Sequence, residues 1–439
     1  MMLNNNGKLI FVFFLIAMIS VIYMVISYHD ISVFFSFLIF LLFIFFIERL
    51  FKIDRNIYIA YFVFVSVMPL FLYSFSVLTG DIYIPGGDSE KYYLRVVDIA
   101  KGDESQLWGR YSLFLYIGKI LYQTTYLLFN SYSYIHFALM SSFFASLTID
   151  PIHRVVSELF DRSVADKTVW LWIFTPLLWY LSSGSLRDIY VYFSVLYGIF
   201  FIISFIRTSN LWFLIFSFLC LVYTANIRLD SAIFLAFFIT SSVMLHKGKL
   251  YLKFTFLLLF LSFLTFVASQ GLVEVFKFND SYDLSYQVDA YKDLRAGSSG
   301  SLTSKLQGTT LGFMVLPFFT LITPFPPPVF FAKYFNISDL FISLFSLFFI
   351  MILPRFFISS WHNKNDKFIL SFVLSLIFII LILSMTSVGS FRQKLYLYPI
   401  IYSLFISCRS SHTVYQIELI FISSLSVLSV FFIFFRYVV

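Results

Sequence analysis

About thirteen apolar runs, most of them near the ~20 residues a helix needs to cross the hydrocarbon core of a bilayer, dominate this chain. They fall near 9–27, 31–47, 57–79, 133–149, 168–183, 189–206, 210–225, 230–246, 253–270, 336–353, 368–386, 395–408 and 416–435. So many runs with short linkers leave one class of fold, because backbone polar groups in lipid must be satisfied within each segment. We therefore expect an all-α, polytopic transmembrane bundle of about 11–14 spans, one integral membrane domain over 1–439.

Composition excludes the alternatives. Charged residues make up 12% of the 439 residues and hydrophobic ones 60%, too little polar surface for a water-soluble body. The 16 Gly and 11 Pro are too few for a collagen-like or low-complexity chain. The net charge of +7 sits mostly in short loops, where it sets orientation and does not point to nucleic acid. Cys220 and Cys408 offer no disulfide framework. The first run, after Lys8, lacks a small-residue cleavage site and reads as a retained helix.

Loop charges give a topology. With Lys8 inside, Arg49, Lys52 and Arg55 are inside, as are His153, Arg154, Arg162, Lys167, Lys247, Lys249, Lys253, Lys364 and Lys367. The scheme requires that 111–129 lie on the outer face and that 309–331, broken by Pro324 and Pro326–Pro328, form a surface or re-entrant hairpin. Two polar outer loops result, 80–110 and 271–308, each too short for its own core and so packed on the membrane body.

Candidate chemistry collects on that outer side. Asp88 follows Gly86–Gly87 on a turn, where it either caps the next helix or serves as a general base or metal ligand; Glu90 shares those roles or favours the helix dipole. Arg187 beside Asp188, Arg228 before Asp230, and Arg392 with Lys394 place four cations where the charge rule does not call for them. Arg187 and Arg228 each have a neighbouring aspartate and are explained by a local ion pair, and each feature alone is structural; together, with no matching acidic run beside them, the four form a cationic set suited to a diphosphate, since guanidinium forks bind phosphate oxygens bidentately. Tyr92, Tyr286 and Tyr291, near carboxylates, suit stacking on a sugar. Asp289 and Asp293 stand at helical spacing and equally describe a solvated face. The histidines show no zinc-type spacing, and no phosphate loop or nucleophile elbow occurs.

The run Gly87–Tyr93, the Ala100–Lys101–Gly102 that follows, and the order outer loop, surface helix, span, basic inner loop, span, Ser185–Asp188 turn resemble the GT-C superfamily of membrane glycosyltransferases. The phenylalanine-rich remainder resembles bacterial O-antigen polymerases of the Wzy type. That resemblance implies a polymerase joining polyprenyl-diphosphate-linked oligosaccharides at the outer face of the bacterial inner membrane. It carries over a catalytic acidic residue, here Asp88, and outer arginines holding diphosphate, here Arg187, Arg228 and Arg392; the reading of the residues adds Glu90 to the first, Lys394 to the second, and Tyr92, Tyr286 and Tyr291 as glycan contacts. The resemblance implies no cofactor, membrane lipid and a chain-length regulator as partners, and no nucleic acid. A single-sugar GT-C transferase using a polyprenyl-phosphate sugar, a lipid-linked oligosaccharide flippase and a ligase are the competing expectations. The first usually carries a soluble domain after its last span, the second needs cations through the membrane depth, and the third an outer histidine, for which only His29 stands on that side.

Overall fold

The computed structural model describes residues 2–84, 87–103, 112–246, 248, 250–277, 316–317, 320–322, 337–386, 391–408, 414–421 and 423–424. Among these it is helical throughout, without strands. In chain order the helices are α1 (Met2–Tyr28), α2 (Ser32–Phe51), α3 (Asn56–Thr79), α4 (Gly87–Ala100), α5 (Ser112–Phe129), α6 (Tyr134–Leu147), α7 (Ile149–Leu159) and α8 (Arg162–Ile173). Then come α9 (Pro176–Ser182), α10 (Asp188–Thr208), α11 (Leu211–Ile227), α12 (Leu229–Leu245) and α13 (Leu250–Lys277). The last are α14 (Ile337–His362), α15 (Lys367–Thr386) and α16 (Tyr398–Ser407), with short 3-10 turns at Phe391–Gln393 and Leu395–Leu397.

Among the described residues seven helical stretches are long and apolar enough to cross a membrane, and four shorter apolar helices accompany them. The chain is a multi-pass membrane protein. The outermost loop of the second half, most of 271–308, lies outside the described residues, as do Tyr286, Tyr291 and nearly all of 309–331.

Hydrogen bonds between distant loops sort the helix ends into two faces. At one face Ser131 Oγ donates to Asp30 Oδ2 at 2.6 Å, and Leu113 N donates to Asn226 Oδ1 at 2.9 Å. At the other, Arg154 Nη2 donates to Phe51 O at 3.1 Å, Arg207 Nη2 to Glu158 O at 2.8 Å, and Ser359 and Ser407 hydroxyls meet at 3.0 Å. The second face carries Lys52, Arg55, Arg162 and Lys364, so by the charge rule it is the inner one.

This partition explains α5. Its first residues bond to the end of α11 and its exit lies beside Asp30, so both of its ends belong to the outer face and it does not cross. Phe114, Leu115, Gly118 and Tyr122 face inward, while Leu113, Tyr116, Ile120 and Leu127 are exposed, the pattern of a helix lying in the membrane interface.

The crossing that follows α7 is interrupted. Pro176 has no N–H to donate, so α8 ends at Ile173 and α9 begins afresh. The freed carbonyls find side chains instead: Trp179 Nε1 donates to Ile173 O at 2.6 Å and Thr175 Oγ1 to Leu171 O at 2.8 Å. Thr175 Oγ1 also meets the Tyr402 hydroxyl of α16 at 3.1 Å. Small residues let helices approach: a Cβ on Gly198 of α10 would meet Leu235 Cδ2 of α12 at 2.8 Å, and Ser217 Oγ of α11 bonds Gly198 O at 3.1 Å.

Candidate functional site

At the outer face α4 is fastened to the turn between α9 and α10. Ser89, fully buried, bonds the Tyr134 hydroxyl at 2.7 Å and the Ser185 hydroxyl at 2.8 Å, and accepts from Ser185 N at 2.9 Å. Tyr134 in turn donates to Ile84 O at 3.0 Å. Gly184 lets the two segments touch, since a Cβ there would stand 1.9 Å from Ile84 O. This knot fixes where the first turn of α4, and with it Asp88, sits against the mouth of α10.

Three arginines converge on that place from separate parts of the chain. Arg228 has extended backbone between α11 and α12, which ends one helix, starts the next and turns its side chain inward. Its guanidinium donates through Nη1 to Asp188 Oδ1 and lies 3.5 Å from Asp230 Oδ1, with its side chain 9% and that of Asp188 3% exposed. Burial works against the charge of Arg228, but Asp188 and then Asp230 prevail and raise its pKa. Arg392 donates through Nη2 to Asp88 Oδ2 at 3.3 Å, and its backbone carbonyl accepts from the Tyr192 hydroxyl. Burial again opposes the charge of Arg392, but Asp188 and Asp88 together outweigh burial and the repulsion of Arg228, so its pKa is raised. Arg187 donates to Ile227 O at 3.2 Å and stands 5.8 Å from the centroid of the Tyr92 ring.

Asp188 is thus the anionic centre between Arg228 and Arg392, and its partner is Arg228, forty residues away, where the sequence offers adjacent Arg187. The cations also have more acidic company than their local sequence displays: Asp188 joins Asp230 at Arg228, and Asp88 meets Arg392. The accessible part of the cluster is the Arg392–Asp88 pair, with side chains 28% and 61% exposed.

The other expected residues are placed as follows. Glu90 is half-buried in the first turn of α4. Tyr92 is buried with its ring edge-on to Phe114 at 5.5 Å, so it supports α4 against α5 rather than offering a sugar-stacking face. Lys394 is 2% exposed and spends its ammonium on backbone carbonyls. Its ammonium donates to Thr320 O and, at 2.8 Å, to Leu321 O, while burial holds its pKa well below the usual lysine range. It tethers residues 320–322 to the outer turn.

Among the described residues one group has metal-ligand geometry, Asp54, His153 and Asp166, and it lies at the inner face. His153 Nε2 is 3.0 Å from Asp166 Oδ1 and 3.7 Å from Asp54 Oδ2, and a hydrogen bond between the imidazole and Asp166 accounts for the arrangement without a metal ion. At the outer face His136, wholly buried, bonds the hydroxyls of Ser32 at 3.0 Å and Ser36 at 2.8 Å beside Asp30. Neither this network nor the Ser89–Ser185–Tyr134 knot was visible in motif spacing; the run Ser182–Ser185 was the one available sign of the latter.

No protein-family model, curated protein or solved structure matches this chain.

Proposed function

We propose that the chain is a glycosyltransferase of the bacterial inner membrane that joins polyprenyl-diphosphate-linked oligosaccharide units at the outer face, a surface-polysaccharide polymerase of the O-antigen kind. The observation that carries this is the Arg392–Asp88 pair. It sets an exposed carboxylate against a guanidinium that belongs to a buried, charge-rich base formed by Asp188 and Arg228.

An incoming diphosphate competes with Asp88 for Arg392, because phosphate oxygens satisfy the guanidinium fork bidentately. Asp88 is then released as a base at the moment the donor arrives. The acceptor sugar hydroxyl oxygen forms a bond to the anomeric carbon of the donor, and its proton passes to Asp88. The anomeric carbon–oxygen bond to diphosphate breaks, with its electron pair left on the diphosphate, whose charge Arg392 and Arg187 stabilise. Arg228 holds Asp188, and so the floor of the site, in place. No nucleotide sugar or cofactor enters this scheme; a chain-length regulator would act from outside the site.

Against a flippase stands the distribution of charge. The described charged side chains gather toward the two ends of the bundle, where a flippase needs them along the path between. The test is the length distribution of surface glycan. Asp88→Asn and Arg392→Lys, present in the membrane at normal levels, should leave single-repeat glycan. Normal chain lengths in both would overturn the assignment, and loss of all surface glycan would move it to a flippase or ligase.

A further inference from the structure

At the inner face α7, α10 and the start of α11 line an open cavity of about 340 Å³ that the proposed chemistry does not use. Arg154 and Arg207 line it, with Glu158 between them and the hydroxyls of Ser157, Ser204 and Thr208 around. The two guanidiniums are only partly committed. Arg154 donates Nε to Asp150 Oδ1 at 2.7 Å and Nη2 to Phe51 O; Arg207 donates Nη2 to Glu158 O. An arginine has five N–H donors, so each keeps several that no described residue takes up. Both are half-exposed, at 37% and 43% of their side chains.

Glu158 is the telling group. Its Oε2 has no hydrogen-bond partner among the described residues, and the nearest cation, Arg207 Nε, stays 3.6 Å away. A site built for a simple anion would not place a carboxylate, held by its arginines through charge but without a hydrogen bond, between the two of them. One built for a molecule with a cation next to its anion would.

The lipid side completes the pattern. From the rim of the cavity, where Phe213 lines the wall, α11 presents an exposed stripe of Trp212, Ile215, Leu219 and Val222. That spacing runs up one helix face. Trp212, in the first turn of α11 at its inner end, lies with its ring 6.4 Å from that of Phe216, and a tryptophan at the end of a span suits the headgroup level. A molecule with its polar end in the cavity would lay its chains on this stripe.

We propose that the cavity is a headgroup site for an inner-leaflet phospholipid bearing a primary ammonium beside its phosphodiester, of the ethanolamine type. The phosphodiester oxygens accept from the spare donors of Arg154 and Arg207. The ammonium donates to Glu158. Glycerol headgroups lack that cation, and choline headgroups lack N–H donors to give the carboxylate.

The test uses the full chain in mixed micelles containing equal phosphatidylethanolamine and phosphatidylglycerol, with the retained lipid quantified by mass spectrometry after purification. Wild type should enrich the ethanolamine lipid about fivefold, the value expected of one half-exposed ion pair. Glu158→Gln should bring that ratio to about one while still retaining lipid, and Arg207→Gln should lose both lipids. A wild-type ratio of one, or the same ratio in Glu158→Gln, overturns the proposal. Displacement of the lipid by millimolar inorganic phosphate overturns it too, in favour of a free-anion site. If Arg207→Gln fails to fold, the ratio within each of the other two samples still decides.

Discussion

Neutralising Asp188 is the sharpest probe of the outer cluster. Asp188→Asn keeps the size of the side chain but removes the charge that faces both Arg228 and Arg392. Arg228 is then left 9% exposed with only Asp230, at 3.5 Å, to balance it. Breaking a buried pair by removing one partner costs about 3–5 kcal/mol, because the other charge stays out of water uncompensated. Since Asp230 remains, the lower end applies, about 3 kcal/mol, or roughly a hundredfold in the folding constant. Reversible unfolding in mixed micelles titrated with SDS measures it directly. Replacing the pair together, Asp188→Leu with Arg228→Met, should recover most of that loss, because neither charge is then buried alone. A loss under about 1 kcal/mol for Asp188→Asn, the worth of a surface pair, would mean that water reaches Arg228 and that the base of the site is open.

Gly184→Ala should destabilise the outer face by about 1–3 kcal/mol, since its Cβ would stand 1.9 Å from a backbone oxygen that cannot rotate away; Gly7→Ala, with nothing within 4 Å, is the matching control in thermal unfolding. Cysteine placed at exposed Lys91 should react with a membrane-impermeant thiol reagent from outside, and one at Ser163 only after permeabilisation. Ser89 is no use as a reporter there, because it is fully buried. Labelling of Ser163 in intact cells would mean that α5 crosses the membrane after all.

The spans were legible because hydrophobic length is a local property, and α5 could be set aside as a surface helix because charges on either side of it are local too. Where the partner lies far along the chain, legibility ends. Residues 168–183 look like one run, yet Pro176 divides them, and the Trp179 and Thr175 bonds that make the break tolerable depend on a geometry the hydropathy of the run does not encode. His153 and Arg154 look like an inner loop, whereas 149–159 continues as α7 with Ile152, Val155 and Val156 turned inward. Arg187–Asp188 looks like a neighbouring pair, but the start of α10 buries Asp188 toward Arg228 and leaves Arg187 near Tyr92. Tyr92 next to Glu90 looks available to a sugar, and α5 covers it.

The interrupted crossing bears on how the protein is made. Neither α8, with Arg162, Asp166 and Lys167, nor the seven-residue α9 is a self-sufficient insertion signal, and the two are absent from the stretches apolar enough to span by themselves. Their polar break meets its tertiary hydroxyl partner, Tyr402, 227 residues later in the chain. During synthesis the segment must therefore shelter against α6 and α7 while more than half of the protein is still to come, and α16 closes the bundle over it near the end. Chains cut short before Tyr402 would keep every long span found among the described residues yet lack that closing helix, which makes them natural prey for membrane quality control.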